Sequence, residues 1–105
     1  MKKKQIIRNK FREAVFQRDG HRCKKCGTKD VKLDAHHITD RNDMPGGGYV
    51  PENCITLCDP SCHMLAEKFH ISGGQEWEEG MHPSDLYKMI GSSHEKALAA
   101  SEKLK

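Results

Sequence analysis

The spacing of apolar residues predicts that this chain of 105 residues begins with a helix. Four apolar residues recur at the spacing of one helix face: Ile7, Phe11, Ala14 and Val15. This pattern predicts a helix from Ile6 to Arg18. Gly20 then suits the position just past the helix end. Lys2–Lys4 precede the pattern, and we expect them to form a loose basic arm.

The middle of the chain is predicted to form a β-hairpin. Val31–Ile38 alternates in part between apolar and polar residues, which is typical of a strand. Cys54–Leu57 is a short second strand by the same reasoning. The stretch Asp40–Pro51 between them contains three successive glycines and several other turn-forming residues, so we expect it to be a loop.

A second helix is predicted to begin near Asp59, which can cap it, with Pro60 at the first helical position. The two sides of this helix differ in polarity. The apolar side is expected to pack on the hairpin and contains Cys62, Leu65, Ala66 and Phe69. The other side is expected to line an open cleft and contains His63, Glu67 and His70, at i, i+4 and i+7.

The C-terminal part is predicted to be helical. Residues 72–74 end the preceding unit, and a helix is expected from Pro83 to Ile90. Ser92 and Glu95 then have capping-box spacing for a last helix. That helix contains few large apolar residues, so we expect it to dock weakly.

The composition indicates one small domain with a thin core. Only 35% of the residues are hydrophobic and 6% are aromatic, and a core of this kind usually needs a covalent or metal staple. No apolar run is long enough to span a membrane, and the basic N-terminus lacks the apolar segment of a signal peptide. We therefore expect a cytoplasmic protein whose cysteines are reduced and available to metal.

The charge is distributed unevenly along the chain. Residues 1–33 contain twelve Lys and Arg against three acids, a net charge of +9, whereas residues 66–105 contain five Lys against seven acids, a net charge of −2. This asymmetry favours a polyanionic partner such as nucleic acid for the N-terminal part. The alternative is a basic arm that only increases solubility.

Two cysteine pairs have the spacing of a structural zinc site. Cys23 and Cys26 are separated by two residues, and Cys58 and Cys62 by three. Four thiolates would close the coordination of the zinc, which makes the site structural rather than catalytic. An iron–sulfur cluster and redox-active thiols are the alternatives. Cys54 is left over and is expected to be a small buried hydrophobic residue.

Three histidines near these cysteines predict a second site. Successive helical residues point about 100° apart, so His63 can face a cleft while Cys62 reaches the zinc. His36 and His37 would point to opposite faces of a regular strand. Both can serve one site only if the strand ends or twists there. The alternative is that these histidines are ordinary surface or core residues.

Together these residues resemble the HNH endonucleases, over about Phe11 to His70. The matching pieces are Phe11 to Gly27 with its cysteine pair, Asp34-Ala-His-His-Ile38, Gly46-Gly47, Glu52-Asn53-Cys-Ile-Thr-Leu-Cys58 and Cys62-His63. The resemblance implies a small α+β fold, with a ββα-metal (His-Me finger) core stapled by a four-cysteine zinc site. An N-terminal helix and C-terminal helices flank this core. The corresponding division is a basic arm and helix start at 1–10, the nuclease domain at 11–71 and a helical extension at 72–105.

The resemblance also implies roles for individual residues. His36 matches the first ligand of a catalytic divalent cation, and His63 matches the last histidine, a second ligand on the helix. His37 matches the general base. Asn53 matches the residue that ties down the loop and orients the base. The four cysteines of the two pairs match the structural Zn²⁺ ligands of many members.

Two departures from the family pattern affect these expectations. The last cysteine pair commonly has two intervening residues and here has three, which leaves the start of the second helix open. The first metal ligand is often Asp and here is His36. Imidazole suits Mn²⁺, Ni²⁺ or Zn²⁺ better than Mg²⁺, although Mg²⁺ can still bind through water and phosphate oxygens.

The function implied is metal-dependent hydrolysis of DNA phosphodiester bonds that leaves 5′-phosphate and 3′-hydroxyl ends. The alternatives are a non-catalytic, zinc-stabilised nucleic-acid-binding module and, more remotely, a protein-interaction domain. The residues expected to contact the nucleic acid are Arg41, Lys24, Lys25, Arg8 and Arg12. Family members occur in phages, mobile elements and restriction systems of bacteria, so partners of that kind, a homodimer, and nicking versus double-strand cleavage stay open.

Weaker site candidates are Glu67, His70 and Asp34. For Glu67 and His70 a solvated position is the favoured interpretation. Asp34 could face the zinc knuckle or orient a histidine ring.

Overall fold

The computed structural model describes residues 3–104, without the side chains of Lys3 and Lys4. This part of the chain contains two short strands and four α-helices. The order is α1 (Lys3–Arg18), β1 (Leu33–His37), β2 (Cys54–Cys58), α2 (Ser61–Ile71), α3 (Pro83–Met89) and α4 (His94–Glu102). Between β1 and β2 the predicted loop contains three short 3-10 turns, at Arg41–Asp43, Pro45–Gly48 and Pro51–Asn53. No helix among residues 3–104 is both long and apolar enough to cross a membrane.

The predicted ββα unit is confirmed. β1 and β2 pair antiparallel, with Leu33 opposite Cys58 and His37 opposite Cys54. Every residue of β2 is buried, because the strand lies between α1 on one side and α2 and the C-terminal helices on the other. The fold is therefore a small α+β fold whose hairpin and following helix are joined by a cysteine cluster.

Helix α1 differs from the prediction at its start and in the face that it buries. The helix begins at Lys3, so Lys3 and Lys4 belong to it rather than to a loose arm, and Lys2 lies outside the described residues. Of the predicted apolar stripe only Val15 is fully buried, whereas Ile7 is 52% exposed. The reason is that α1 meets the hairpin through its C-terminal half, and its N-terminal half projects beyond the sheet.

Helix α2 begins at Ser61, one residue later than the predicted first position at Pro60, and Asp59 does not cap it. The Asp59 carboxylate instead lies 3.3 Å from Nδ1 of His63 and 3.4 Å from Nζ of Lys32. On the apolar side Cys62 and Ala66 are buried, but Leu65 is 41% exposed, since the hairpin covers only part of that face.

The C-terminal helices pack closely on the rest of the fold, so the prediction of weak docking was wrong. Met81, Leu86 and Ala97 belong to the same core cluster as Ile55 and Leu57. Helix α4 packs on the turns at Pro45–Gly48 and Pro51–Asn53. The buried residues of α4 are the small Ala97 and Ser101, and the partly buried Leu98 packs against the same core cluster.

The cap of α4 is also displaced by one residue. Ser93 is the N-cap, and its side chain accepts a hydrogen bond from the Lys96 amide at 3.1 Å. Ser92 instead donates its hydroxyl hydrogen to the carbonyl oxygen of Glu52, at 2.8 Å. This bond ties the start of α4 to the last turn before β2.

Candidate active site

The four paired cysteines come together at one end of the hairpin, as predicted. The sulfur atoms of Cys23, Cys26, Cys58 and Cys62 all lie within 4.8 Å of one another. The Cys26 amide points at the sulfur of Cys23 at 3.5 Å, and the Cys62 amide points at the sulfur of Cys58 at 3.4 Å. A thiolate cluster of this composition fits a zinc ion.

The pKa values of the clustered cysteines are shifted in both directions. Burial and hydrogen bonds to neighbouring thiols raise the pKa of Cys26 and of Cys62. Burial raises the pKa of Cys23, but hydrogen bonds from the backbone amides of Cys26, Cys58 and Lys25 outweigh it and lower the pKa to about 7. Burial raises the pKa of Cys54 far above its usual value, so that thiol stays neutral. Cys54 is fully buried in β2 and is not among the clustered sulfurs, which agrees with the predicted apolar role.

A cleft with a volume of about 490 Å³ runs between α1, the end of β1 and α2. The prediction that one side of α2 lines a cleft is confirmed. The lining includes the three histidines of the predicted second site, His36, His37 and His63, together with the weaker candidates His70 and Glu67.

A three-residue donor cluster lies in this cleft. Oε1 of Glu67 is 3.1 Å from Nδ1 of His36 and 3.2 Å from Nε2 of His63. The Nδ1 atom of His36 is buried and, although it is close to that oxygen, has no partner with hydrogen-bond geometry. One ligand atom from each of the three residues lies within 4.8 Å of the others. Two imidazoles and a carboxylate at this spacing fit a divalent cation.

The charges in this donor cluster are strongly coupled. Contacts with His36 and His63 lower the pKa of Glu67 well below its usual range, so Glu67 is a carboxylate. Glu67 is the main cause of the raised pKa of His63, about 9, with Asp59 and Asp34 adding to it. The pKa of His36 is lowered, because burial of its ring outweighs the attraction of Glu67.

Two aspartates orient the ring of His63. Oδ2 of Asp34 and Oδ1 of Asp59 both lie 3.3 Å from Nδ1 of His63. A carboxylate on one ring nitrogen fixes the direction of the other nitrogen, as it does for histidine ligands of metals. Nε2 of His63 therefore faces Glu67 and the centre of the donor cluster. The interpretation of Asp34 as an orienting residue agrees with this geometry.

His37 lies on the other side of the strand from the donor cluster, against α1 and the loop. Its ring centroid is 4.8 Å from that of Tyr49 and 6.1 Å from that of Phe11. Because it is the last residue of β1, its ring still lines the same cleft as His36. Burial first, and then electrostatic interactions with His36 and Arg41, lower the pKa of His37 to about 4, so the ring is neutral at pH 7.

The backbone around His37 is held from two directions. Nε2 of His70 donates to the carbonyl oxygen of His37 at 3.0 Å, since a carbonyl oxygen can only accept. The fully buried Asn53 donates from Nδ2 to the carbonyl oxygen of Thr39 and accepts at Oδ1 from the Thr39 amide, both at 3.1 Å. Asn53 therefore ties the loop to the end of β1.

The predicted basic residues divide into two groups. Arg8, Arg12 and Arg41 line the cleft, and the Arg8 guanidinium carbon lies 4.8 Å above the centroid of the Tyr49 ring. Lys24 and Lys25 lie on the zinc knuckle and are not part of the cleft lining. Any contact that these lysines make with nucleic acid would be outside the cleft.

Sequence reasoning undervalued two residues of this region. Glu67 was interpreted as a solvated acid, although its position four residues after His63 is the spacing of a shared helix face. Tyr87, in α3, is not among the predicted site residues, although it donates a hydrogen bond to Asn53 at 2.7 Å. No local signal marks Tyr87, because its contact depends on how α3 docks.

The hairpin, the helix that follows it and the facing histidines define a ββα domain with two places suited to metal. Residues 23–69 match the family model described as HNH endonuclease. The resemblance to the HNH endonucleases is thus confirmed over these residues, and it implies nuclease-type chemistry on a nucleic acid. Searches among curated proteins and among solved structures gave no significant match.

Proposed function

We propose that this protein is a metal-dependent endonuclease that hydrolyses phosphodiester bonds of DNA. The observation that carries the proposal is one cleft that combines the His36, His63 and Glu67 donors with the neutral ring of His37. A nucleic-acid-binding module without catalysis would need the arginines but not this donor cluster. The alternative is therefore the less favoured function.

In this proposal His36 and His63 hold a divalent cation, and Glu67 is a third ligand. Two imidazoles favour Mn²⁺, Ni²⁺ or Zn²⁺ over Mg²⁺. When bound, such a cation would supply positive charge that stabilises the negative charge developing on phosphate during hydrolysis. The cysteine cluster holds the separate structural zinc.

His37 is the general base of the proposed reaction. Its neutral ring can accept a proton from the attacking water. As the water oxygen bonds to phosphorus, the bond from phosphorus to the 3′-oxygen breaks and this oxygen takes a proton from solvent, which leaves a 5′-phosphate and a 3′-hydroxyl. The low pKa of His37 arises first from burial of the ring and in part from the positive charge of Arg41. A phosphate anion in the cleft favours the protonated ring and so raises this pKa towards neutrality. His37 then becomes a stronger base when substrate is bound.

Asn53 and the arginines complete the proposed site. Asn53 fixes the backbone that follows His37 and so limits the positions that the base can take. Arg8, Arg12 and Arg41 contact phosphates along the cleft, and Lys24 and Lys25 contact the backbone beyond it. Contacts of this kind carry no base readout, so we expect weak sequence specificity and nicking by a monomer.

A plasmid assay tests the proposed function. The zinc-loaded protein is expected to nick supercoiled DNA with Mn²⁺ or Ni²⁺, and EDTA is expected to stop it. His37→Ala should abolish cleavage, because no other group replaces the base, while DNA binding measured by gel shift without divalent cation should change little. Cleaved ends are mapped to test for the 5′-phosphate.

The control variant is His21→Asn, which changes an exposed histidine outside the cleft. Asparagine tolerates the positive φ of 54° found at that position. This variant should cleave like the wild type. Full activity of His37→Ala would refute the assignment of the base. Binding without cleavage in every metal would favour the non-catalytic module instead.

A further inference from the structure

Tyr87 connects the C-terminal helices to the candidate active site. It lies in α3, beyond residues 23–69 that match the family model, and it is only 4% exposed. Its hydroxyl donates to Oδ1 of Asn53 at 2.7 Å and lies 2.6 Å from Oγ1 of Thr39. Both partners belong to the segment between β1 and β2.

The direction of each hydrogen bond in this group can be assigned. A tyrosine hydroxyl carries one hydrogen, and Tyr87 uses it for Asn53. The hydroxyl of Thr39 must then donate to the oxygen of Tyr87. Burial raises the pKa of Tyr87, so the phenol keeps its proton at neutral pH and remains a donor.

The hydrogen bond from Tyr87 completes the partners of the Asn53 amide. Oδ1 of Asn53 accepts from Tyr87 and from the Thr39 amide, and Nδ2 donates to the carbonyl oxygens of Thr39 and Gly48. Both acceptor positions and both donor positions are thus occupied. Rotation of this amide by 180° would break all four bonds, so the partners select a single orientation.

The Gly48 backbone closes the pocket around the same amide. A Cβ added at Gly48 would lie 2.6 Å from Nδ2 of Asn53, and φ at this glycine is +65°. Only glycine therefore fits where the loop approaches Asn53. The amide is held by the loop on one side and by α3 on the other.

We propose that Tyr87 is a positioning residue for the nuclease site, which it serves by fixing the orientation of Asn53. The Asn53 amide holds both backbone polar groups of Thr39, two residues after His37, so this orientation determines where the base lies. The inference rests on the proposed function. It makes α3 a support of the site although α3 contributes no side chain to the cleft lining.

The test compares Tyr87→Phe with Ser92→Ala, using the zinc-loaded full chain. Tyr87→Phe keeps the ring and removes one buried hydrogen bond, so single-turnover cleavage at saturating DNA should slow about five- to tenfold. DNA affinity should stay unchanged, because Tyr87 is outside the cleft. Ser92→Ala removes a different hydroxyl bond from the same part of the chain, to Glu52, and should cleave like the wild type.

A double variant shows whether Tyr87 acts through Asn53. In an Asn53→Ala background, Tyr87→Phe should cause no further loss of rate, because the amide that it orients is gone. An equal loss in both backgrounds would overturn the proposal. So would an unchanged rate of Tyr87→Phe in the otherwise wild-type chain.

Amide hydrogen exchange tests the contact without any need for cleavage or for Asn53→Ala to fold. The Thr39 amide is bonded to the Asn53 side chain, whereas the Ile38 amide is bonded to the Asn53 backbone oxygen at 2.8 Å. Tyr87→Phe should accelerate exchange at Thr39 and leave Ile38 unchanged. If the wild type cuts no DNA, the proposed nuclease fails, and unchanged exchange at Thr39 would separately refute the positioning of Asn53.

Discussion

At the scale of single residues, Glu67 is the residue that joins the two histidines of the donor cluster. One of its carboxylate oxygens lies close to a nitrogen of His36 and to a nitrogen of His63. A divalent cation bound to all three residues would replace these two contacts between the imidazole rings and the carboxylate oxygen. The spacing of Glu67 from His63 can be read in the sequence, but the approach of His36 from β1 cannot.

Glu67→Gln is expected to weaken Mn²⁺ binding to the zinc-loaded protein. The substitution keeps the shape of the side chain and removes the anionic ligand, so affinity should fall at least about tenfold, roughly 1.4 kcal/mol. Isothermal titration calorimetry measures this change. Glu76→Gln alters an exposed acid outside the cleft lining and serves as the control. Equal affinity in the two variants would remove Glu67 from the ligand set.

At the scale of elements, a buried carboxylate joins α1 to the hairpin. Asp19 is 6% exposed and accepts a hydrogen bond from the Thr56 amide in β2 at 2.9 Å. Its other partner is the guanidinium of Arg18, which also donates to the carbonyl oxygen of Cys54 at 2.6 Å. Arg18 is therefore an anchor of α1, whereas Arg8 and Arg12 lie in the cleft. One face of α1 therefore attaches the helix to the hairpin, and another face lines the cleft proposed to bind the substrate.

Asp19→Ala is expected to destabilise the fold by about 2 kcal/mol, since a charged acceptor of several hydrogen bonds is lost. Thermal unfolding of the zinc-loaded protein should show a decrease in Tm of about 10 °C. Asp30→Ala, at an exposed acid, should leave Tm nearly unchanged. A decrease as small as that of the control would show that Asp19 does not anchor α1.

The same residue gives this stability a defined pH dependence. Burial raises the pKa of Asp19, but hydrogen bonds from Arg18 and Thr56 outweigh it, and the pKa lies below its usual value of 3.8. Because the folded-state pKa of Asp19 is lowered, its stabilisation of the fold is complete above the usual pKa of 3.8. This stabilisation is lost as the pH falls through the folded-state pKa. The difference between wild type and Asp19→Ala should therefore be constant from about pH 8 to pH 6.

At the scale of the whole molecule, the cysteine cluster and the C-terminal helices hold different parts of the hairpin in place. The cluster joins the knuckle after α1 to the start of α2. Helices α3 and α4 cover the loop between the strands and bring Tyr87 to Asn53. The Cα radius of gyration of 13.0 Å is that of a compact domain of this length, so the C-terminal extension is part of one packed unit.

Removal of zinc is expected to unfold this unit. The apolar core is thin, and metal binding by four thiolates contributes directly to folding free energy. Cys58→Ser should lose bound zinc and helical circular dichroism, whereas Cys54→Ala should keep one zinc ion per chain. Metal analysis and circular dichroism measure both. A folded Cys58→Ser protein with its full zinc content would exclude Cys58 from the cluster.

The sequence by itself determined the hairpin, the helix after it, the grouping of four cysteines in one cluster and the histidines of the cleft. These features depend on local spacing: two or three residues between cysteines, a period of two in strands and of 3.6 in helices. The start of α2 was predicted one residue early, because the contact of the Asp59 carboxylate with His63 competes with capping.

Only the tertiary structure decided which residues complete the site. Glu67 meets His36 through the packing of α2 on β1, Arg18 becomes an anchor through its contact with β2, and Tyr87 reaches Asn53 across 34 positions of sequence. The buried residues of α4 are small side chains, which form no pattern of large apolar residues. Contacts between distant parts of the chain are set by how elements pack, and spacing along one element does not reveal them.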